Sequence, residues 1–206
     1  MKRLEKLFKV LSRPGLVRMA LSSAVRMAEG DSIACAIGGL TDAEIAALVR
    51  WLPDDGTFVE FGTLFGFTAK AIAAAKPNLK VVAVDNFSWN PFGLPPKLHE
   101  EFTRKILANE IAEGRVEVLN VDSAAYRDRM SCQTDRETVP SAVFFDAMHQ
   151  YEPVRDEIAW AKEIGVKCIC GHDYRNPSPV FGVTRAVDEA FPNGVDVVGM
   201  CWRARL

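Results

Sequence analysis

Short apolar runs alternate with helical spacing along most of this chain, and that alternation limits its folds more than any other feature. The runs fall at 57–61, 80–84, 116–121, 141–145 and 166–170. Between them the apolar residues recur with helical period, over 66–75, 99–113, 123–130, 151–163 and 180–191. A capping box, Thr41 to Glu44, opens a further helix that reaches about residue 52. Strands that are apolar on both faces and separated by helices predict a mostly parallel sheet with helices on either side. The expected fold is a Rossmann-like α/β three-layer sandwich of strand order 3-2-1-4-5. Residues 194–206 return as one more strand or a hairpin.

In such a sheet ligands bind beyond the carboxyl ends of the strands. Each of the five runs ends in or next to an acid: Glu60, Asp85, Asp122, Asp146 and Asp173. One such acid is readily a helix cap; five in register point to a site. At the first crossing, Gly62 lets backbone approach a ligand closely and Gly66 lets helix and strand pack tightly. Asp85 follows Gly62 by 23 residues, close to the ~20 expected of an acid that holds ribose hydroxyls. The G-x-G-x-x-G spacing of dinucleotide sites is absent. Glu60 beside the glycine turn would repel a pyrophosphate but suits a ligand bearing an ammonium and a sulfonium. S-adenosylmethionine is therefore the expected cofactor.

The chain has 206 residues, the length of one domain. Its net charge of −2 argues against a nucleic-acid partner. No apolar stretch is long enough to span a membrane, and no long apolar core follows the first basic residues, so no signal peptide is read. Five cysteines, at 35, 132, 168, 170 and 201, lack zinc spacing and read as reduced thiols of a cytoplasmic protein. Charge is unevenly spread. Residues 1–28 hold seven Lys or Arg against Glu5, a net of +6, while the remainder carries −8. Leu4, Leu7, Phe8 and Leu11 follow helical spacing there. Residues 1–39 thus read as a basic helical extension and 40–206 as the cofactor-binding domain. The extension either packs on the domain with a solvated basic face, the favoured reading, or makes weak contact with a membrane surface.

The segment EFGTLFGFTAKAIA resembles the first motif of the class I S-adenosylmethionine-dependent methyltransferases, in the form used by catechol and caffeoyl-CoA O-methyltransferases. The stretch FFDAMHQYEPVRDEIAWAKEIGVKCICGHDY resembles a bacterial family that includes macrocin-type O-methyltransferases, and FGVTRAVDEAF is similar to that family's last helix. The likeness spans about residues 40–206. It departs at Ala147 and Met148, where that family often has Gly and Asp, and at Tyr174, where catechol-type enzymes have Asn.

The resemblance implies roles position by position. Glu60, Gly62 and Thr68, with Gly66 in the turn, would meet the methionine part. Asp85 and Asn86 would take the ribose, and Asp122 and Ser123 would border the adenine. Asp146 and Asp173 end neighbouring strands ~4.8 Å apart and could share Mg²⁺ or Mn²⁺. His172 would be a third ligand or an orienting group. His149, three residues after Asp146, is a candidate base, since imidazole titrates near ~6.5; it is equally placed to be a helix-start residue. The expected activity is methylation of an oxygen on a small-molecule or sugar-containing acceptor, with metal assistance. The loop 86–96 is placed to cover that acceptor or to bury its own apolar cluster. A non-catalytic or membrane-associated S-adenosylmethionine-binding protein, and a nicotinamide oxidoreductase, are the alternatives. Homo-oligomer formation is left open.

Overall fold

The computed structural model describes residues 13–131 and 139–205. Leu4, Leu7, Phe8, Leu11 and Cys132 lie outside the described residues. Helix α1 (Pro14–Ala28) and the short α2 (Ile33–Ala36) precede α3 (Asp42–Trp51). There follow β1 (Asp55–Phe61), α4 (Phe67–Ala75), β2 (Asn78–Asp85), α5 (Pro96–Ile106), α6 (Ala108–Ala112), β3 (Val116–Asn120) and α7 (Ser123–Ser131). The last part runs β4 (Ala142–Phe145), α8 (Tyr151–Ile164), β5 (Cys168–Gly171), α9 (Val183–Ala190), β6 (Val195–Val198) and β7 (Cys201–Ala204).

The seven strands form one sheet of order β3-β2-β1-β4-β5-β7-β6, with the first five parallel and β7 antiparallel to β5 and β6. The expected order and the hairpin are both present. Side chains alternate between faces along each strand. Phe58, Val81, Ala83 and Phe144 pack against α3 and α4, including Leu48 and Ile72. Val59, Phe61, Val143 and Ile169 face the opposite layer, where Ile158 and Trp160 of α8 and Val187 of α9 cover them. The capping box forms in full: Thr41 Oγ1 accepts from the Glu44 N–H, and Glu44 Oε2 accepts from the Thr41 N–H.

The helix expected over 99–113 is two helices. It starts earlier, at Pro96, and breaks at Leu107, whose side chain is fully buried in the α3–α4 layer. Gly66 supplies the space for that residue: a Cβ there would lie 2.7 Å from Leu107 Cδ1. The first two strands begin two residues before the expected limits, and the fifth begins at Cys168 rather than 166. Cys168 and Cys170 share a face, with their sulfurs 3.6 Å apart.

Helix α1 rests on the domain through Leu16 and Met19, which pack against Ile37, Phe65, Phe92 and Leu94. Gly15 touches the 86–96 loop so closely that a Cβ would come within 2.9 Å of Leu94.

Candidate active site

The strand register decides which residues meet. Phe61 is opposite Val84 on one side and Phe145 on the other, and Phe145 is opposite Gly171. The ladder runs one residue further: the Gly62 N–H donates to Val84 O, the Asp146 N–H to Phe61 O, and the His172 N–H to Phe145 O. Gly62, Asp85, Asp146 and His172 therefore stand in a row beyond the sheet. A cleft of about 410 Å³ opens there, bordered by that row and by Asn86, Asp122, Ser123, His149, Asp173 and the loop residues Ser88 and Trp89. Its size falls among small-molecule sites.

Gly62 has φ +85°, and a Cβ would lie 2.3 Å from the Asp146 carbonyl oxygen. Its lack of a side chain thus serves the junction of β1 and β4 as well as the cleft. The following turn carries Leu64 at φ +48°, a left-handed conformation unusual for a branched residue. Both of its backbone groups are held. Asp85 Oδ2 accepts from the Leu64 N–H at 2.9 Å, while Thr103 Oγ1 donates to the Leu64 carbonyl and His99 Nε2 lies 2.9 Å from it. Asp85 Oδ1 accepts from the N–H of Phe87, another residue of positive φ, at 2.7 Å. Burial pushes the Asp85 carboxyl up, against these two backbone hydrogen bonds. Sequence reasoning found Asp85 but missed His99 and Thr103. They act on a turn 35 and 39 residues away, and no local pattern marks such a contact.

The other donor-side residues divide. Asn86 Nδ2 reaches Asp122 Oδ2 at 3.3 Å, and Asp122 Oδ1 accepts from the Ala124 N–H, capping α7. Thr68 lines a small hollow continuous with Gly62 and Asp146. Gly66 is turned to Leu107 and Glu60 is buried beneath the cleft, and neither is among the described lining residues. Thr63 Oγ1 donates to Glu60. Burial raises the Glu60 carboxyl to about 8, with the charges of Asp146 and Asp85 adding to the rise.

The other end of the cleft is a cluster of imidazoles and carboxylates. His149 Nδ1 lies 3.1 Å from Asp173 Oδ2, and the ring stacks on Phe181 at 4.5 Å. Burial alone would lower the His149 pKa, but the hydrogen bond and charge of Asp173 outweigh it and raise it. Asp173 sits at φ +61° and accepts from Asn176 Nδ2 through its other oxygen. Its carboxyl is held well below the usual range, because the hydrogen bonds of His149 and His172 overcome its burial. Burial raises Asp146 to about 7, against the neighbouring positive charge of His172.

His172 stands among three carboxylates. Its Nε2 faces Glu44 Oε1 at 3.3 Å, and its Nδ1 is 3.6 Å from Asp146 and 3.7 Å from Asp173. Three carboxylates around one ring outweigh burial and raise it to about 11. Among the described residues, donor atoms of Asp146, His149 and Asp173 all lie within 4.8 Å of one another, and so do those of Glu44, His172 and Cys201, so the two aspartates group with His149 while His172 groups with Glu44. Glu44, which the sequence marks only as a helix-capping residue, also accepts from the Met200 N–H in the β6–β7 turn. Sequence gave no sign of that second task.

The 86–96 loop buries its own apolar cluster and sends one aromatic side chain to the cleft. Trp89 is exposed at the cleft, while Phe92 and Leu94 are buried in the cluster under α1.

No family model matches the chain, and no curated protein matches it. Solved structures do. A TDP-rhamnose 3′-O-methyltransferase of calicheamicin biosynthesis superposes with a TM-score of 0.58 at 18% identity, over 78% of this chain and 76% of that one. A precorrin-6y C5,15-methyltransferase from Geobacter metallireducens gives 0.55 at 17% identity, over 79% and 75%. An O-methyltransferase family protein from Burkholderia thailandensis gives 0.51 at 15% identity, over 77% of this chain and 53% of that one. The chain thus has the Rossmann-like fold of class I methyltransferases. At these identities the likeness is one of fold.

Proposed function

We propose that this protein transfers a methyl group from S-adenosylmethionine to a hydroxyl oxygen of a small molecule. The observation that carries the donor is the charge of the cleft: Asp85, Asp122, Asp146 and Asp173 line it, outnumbering the protonated His172, and no Lys or Arg is among the described lining residues. That surface favours a sulfonium and an ammonium and disfavours the pyrophosphate of a nicotinamide dinucleotide. Asp85 is held by two backbone N–H groups, and each of its oxygens keeps a lone pair for a ribose hydroxyl. Methyltransferases of the same fold that act on oxygen, the TDP-rhamnose enzyme among them, support the reading.

The donor supplies a methyl group on positively charged sulfur, open to in-line attack. A hydroxyl is a weak nucleophile until its proton leaves. His149 would take that proton. Asp173 fixes its Nδ1, Phe181 holds the ring plane, and Nε2 is the nitrogen left for the acceptor. Trp89, Met148 and Phe181 would contact the acceptor and limit water.

A second reading rests on the compact ligand set of Asp146, His149 and Asp173. Two carboxylates and an imidazole suit Mg²⁺ or Mn²⁺, which would assist proton loss from the acceptor as a Lewis acid. His149 would then be a ligand and not the base.

Calorimetric titration with S-adenosylmethionine, S-adenosylhomocysteine and NAD tests the donor. Saturable heat with the first two and none with NAD is expected; the reverse pattern refutes the proposal. Turnover of a phenolic or sugar acceptor that survives EDTA supports His149 as base. Loss with EDTA and recovery with Mn²⁺ or Mg²⁺ supports the second reading.

A further inference from the structure

Helix α1 turns its less polar side away from the protein. With 3.6 residues per turn, Leu16, Met19, Ser23 and Arg26 lie on one side, where Leu16 and Met19 pack on the domain. Val17, Leu21, Ala24, Val25 and Ala28 fall within one arc on the opposite side. Leu21 is 65% exposed and Val25 58%, and the next helix adds Ile33 at 54%. A surface helix of a globular domain ordinarily presents charges outward. Here, among the described residues of the helix, the charged residue bordering the arc is Arg18, which is exposed.

The sequence that carries this face is predominantly basic. Residues 1–28 carry seven Lys or Arg and one Glu, in a chain whose remainder is net −8. Four of those cations, Lys2, Arg3, Lys6 and Lys9, lie in the twelve residues that precede the described structure. At the start of α1 a cleft of about 540 Å³ adds Lys97 to Arg13, against Glu101. Of the two acids just after the helix, Asp31 is already paired with Arg26 at 2.7 Å, leaving Glu29.

We propose that this face of α1 seats the protein on an anionic lipid bilayer. The apolar arc enters the boundary between headgroups and acyl chains, and Arg13 and Arg18 meet lipid phosphates. A second copy of the chain would also bury the apolar arc. It would, however, bring two net +6 segments together, which the charge disfavours. The surface is separate from the cleft and does not depend on the methyl-transfer reading.

The test is co-sedimentation of the full chain with vesicles of phosphatidylcholine alone and of phosphatidylcholine with 30% phosphatidylglycerol, beside light scattering of the protein without lipid. The wild type should sediment at least ~10-fold more strongly with the anionic vesicles, and 0.5 M NaCl should reverse most of that gain. Leu21→Asp/Val25→Asp should abolish sedimentation while leaving the melting temperature unchanged, since both side chains are exposed. Arg18→Glu should weaken it several-fold. Three results would overturn the proposal: no sedimentation of the wild type with anionic vesicles, sedimentation untouched by Leu21→Asp/Val25→Asp, or a lipid-free dimer that this double variant splits.

Discussion

The two ends of the cleft use the same residue type in opposite ways. Under β1 to β3, Asp85 and Asp122 accept from backbone N–H groups, those of Leu64, Phe87 and Ala124. Under β4 and β5, Asp146 and Asp173 face imidazoles instead. Backbone donors keep their protons, so the first pair fixes loops in place. Imidazoles exchange protons near neutral pH, so the second pair sits in a network that can change charge. One row of acids along a sheet edge is thus divided between backbone partners at one end and imidazole partners at the other.

Removing one acid from each end should separate the two tasks. Asp85→Ala loses two charge-assisted hydrogen bonds, each worth about 1.5–3 kcal/mol, and frees Leu64 and Phe87 from their left-handed conformations. Donor affinity measured by calorimetry should fall by ~10²-fold or more. Asp146→Ala should abolish turnover with a smaller loss of donor affinity. Equal loss of affinity in the two variants would erase the distinction between the ends.

His149→Ala should lower kcat by about 10²-fold at unchanged donor affinity, the usual contribution of a general base. Turnover near that of the wild type would remove His149 from the chemistry.

The pH profile sharpens the same point. A base must be unprotonated, and Asp173 raises the His149 pKa above its ordinary 6.5. The acid limb of kcat should therefore lie above pH 6.5. In Asp173→Asn the limb should move to lower pH. A limb that stays put would show that another group titrates.

The smallest effect should come from Glu44→Gln, read in stability. Glu44 is held at about 2, because hydrogen bonds from His172, Met200 and Thr41 outweigh its burial, against an ordinary 4.5. Its contribution is present above pH 4.5 and is lost as pH falls toward 2. His172, raised from 6.5 to about 11, contributes fully below pH 6.5 and loses that contribution as pH rises toward 11. The pair thus stabilises most between pH 4.5 and 6.5. Melting temperatures of Glu44→Gln should fall by a few degrees in that window and converge on the wild type outside it; an equal drop at every pH would show that only the helix cap was lost.

By itself the sequence determined the alternation of strands and helices, a mostly parallel sheet, a returning C-terminal segment and the Thr41–Glu44 cap; that this segment is a hairpin came from the structure. These follow from local period and turn chemistry, which each segment carries within itself. It also marked Glu60, Asp85, Asp122, Asp146 and Asp173, because parallel strands put every carboxyl end on one edge. Only the tertiary structure decided what those acids touch. Register set Gly62 against Asp146, the packing of Leu107 split one expected helix and claimed Gly66, and a fold-back of 128 residues brought Glu44 to His172. Such pairings depend on where whole elements dock. Docking is fixed by the summed burial of two sheet faces, and no short stretch of sequence contains that sum.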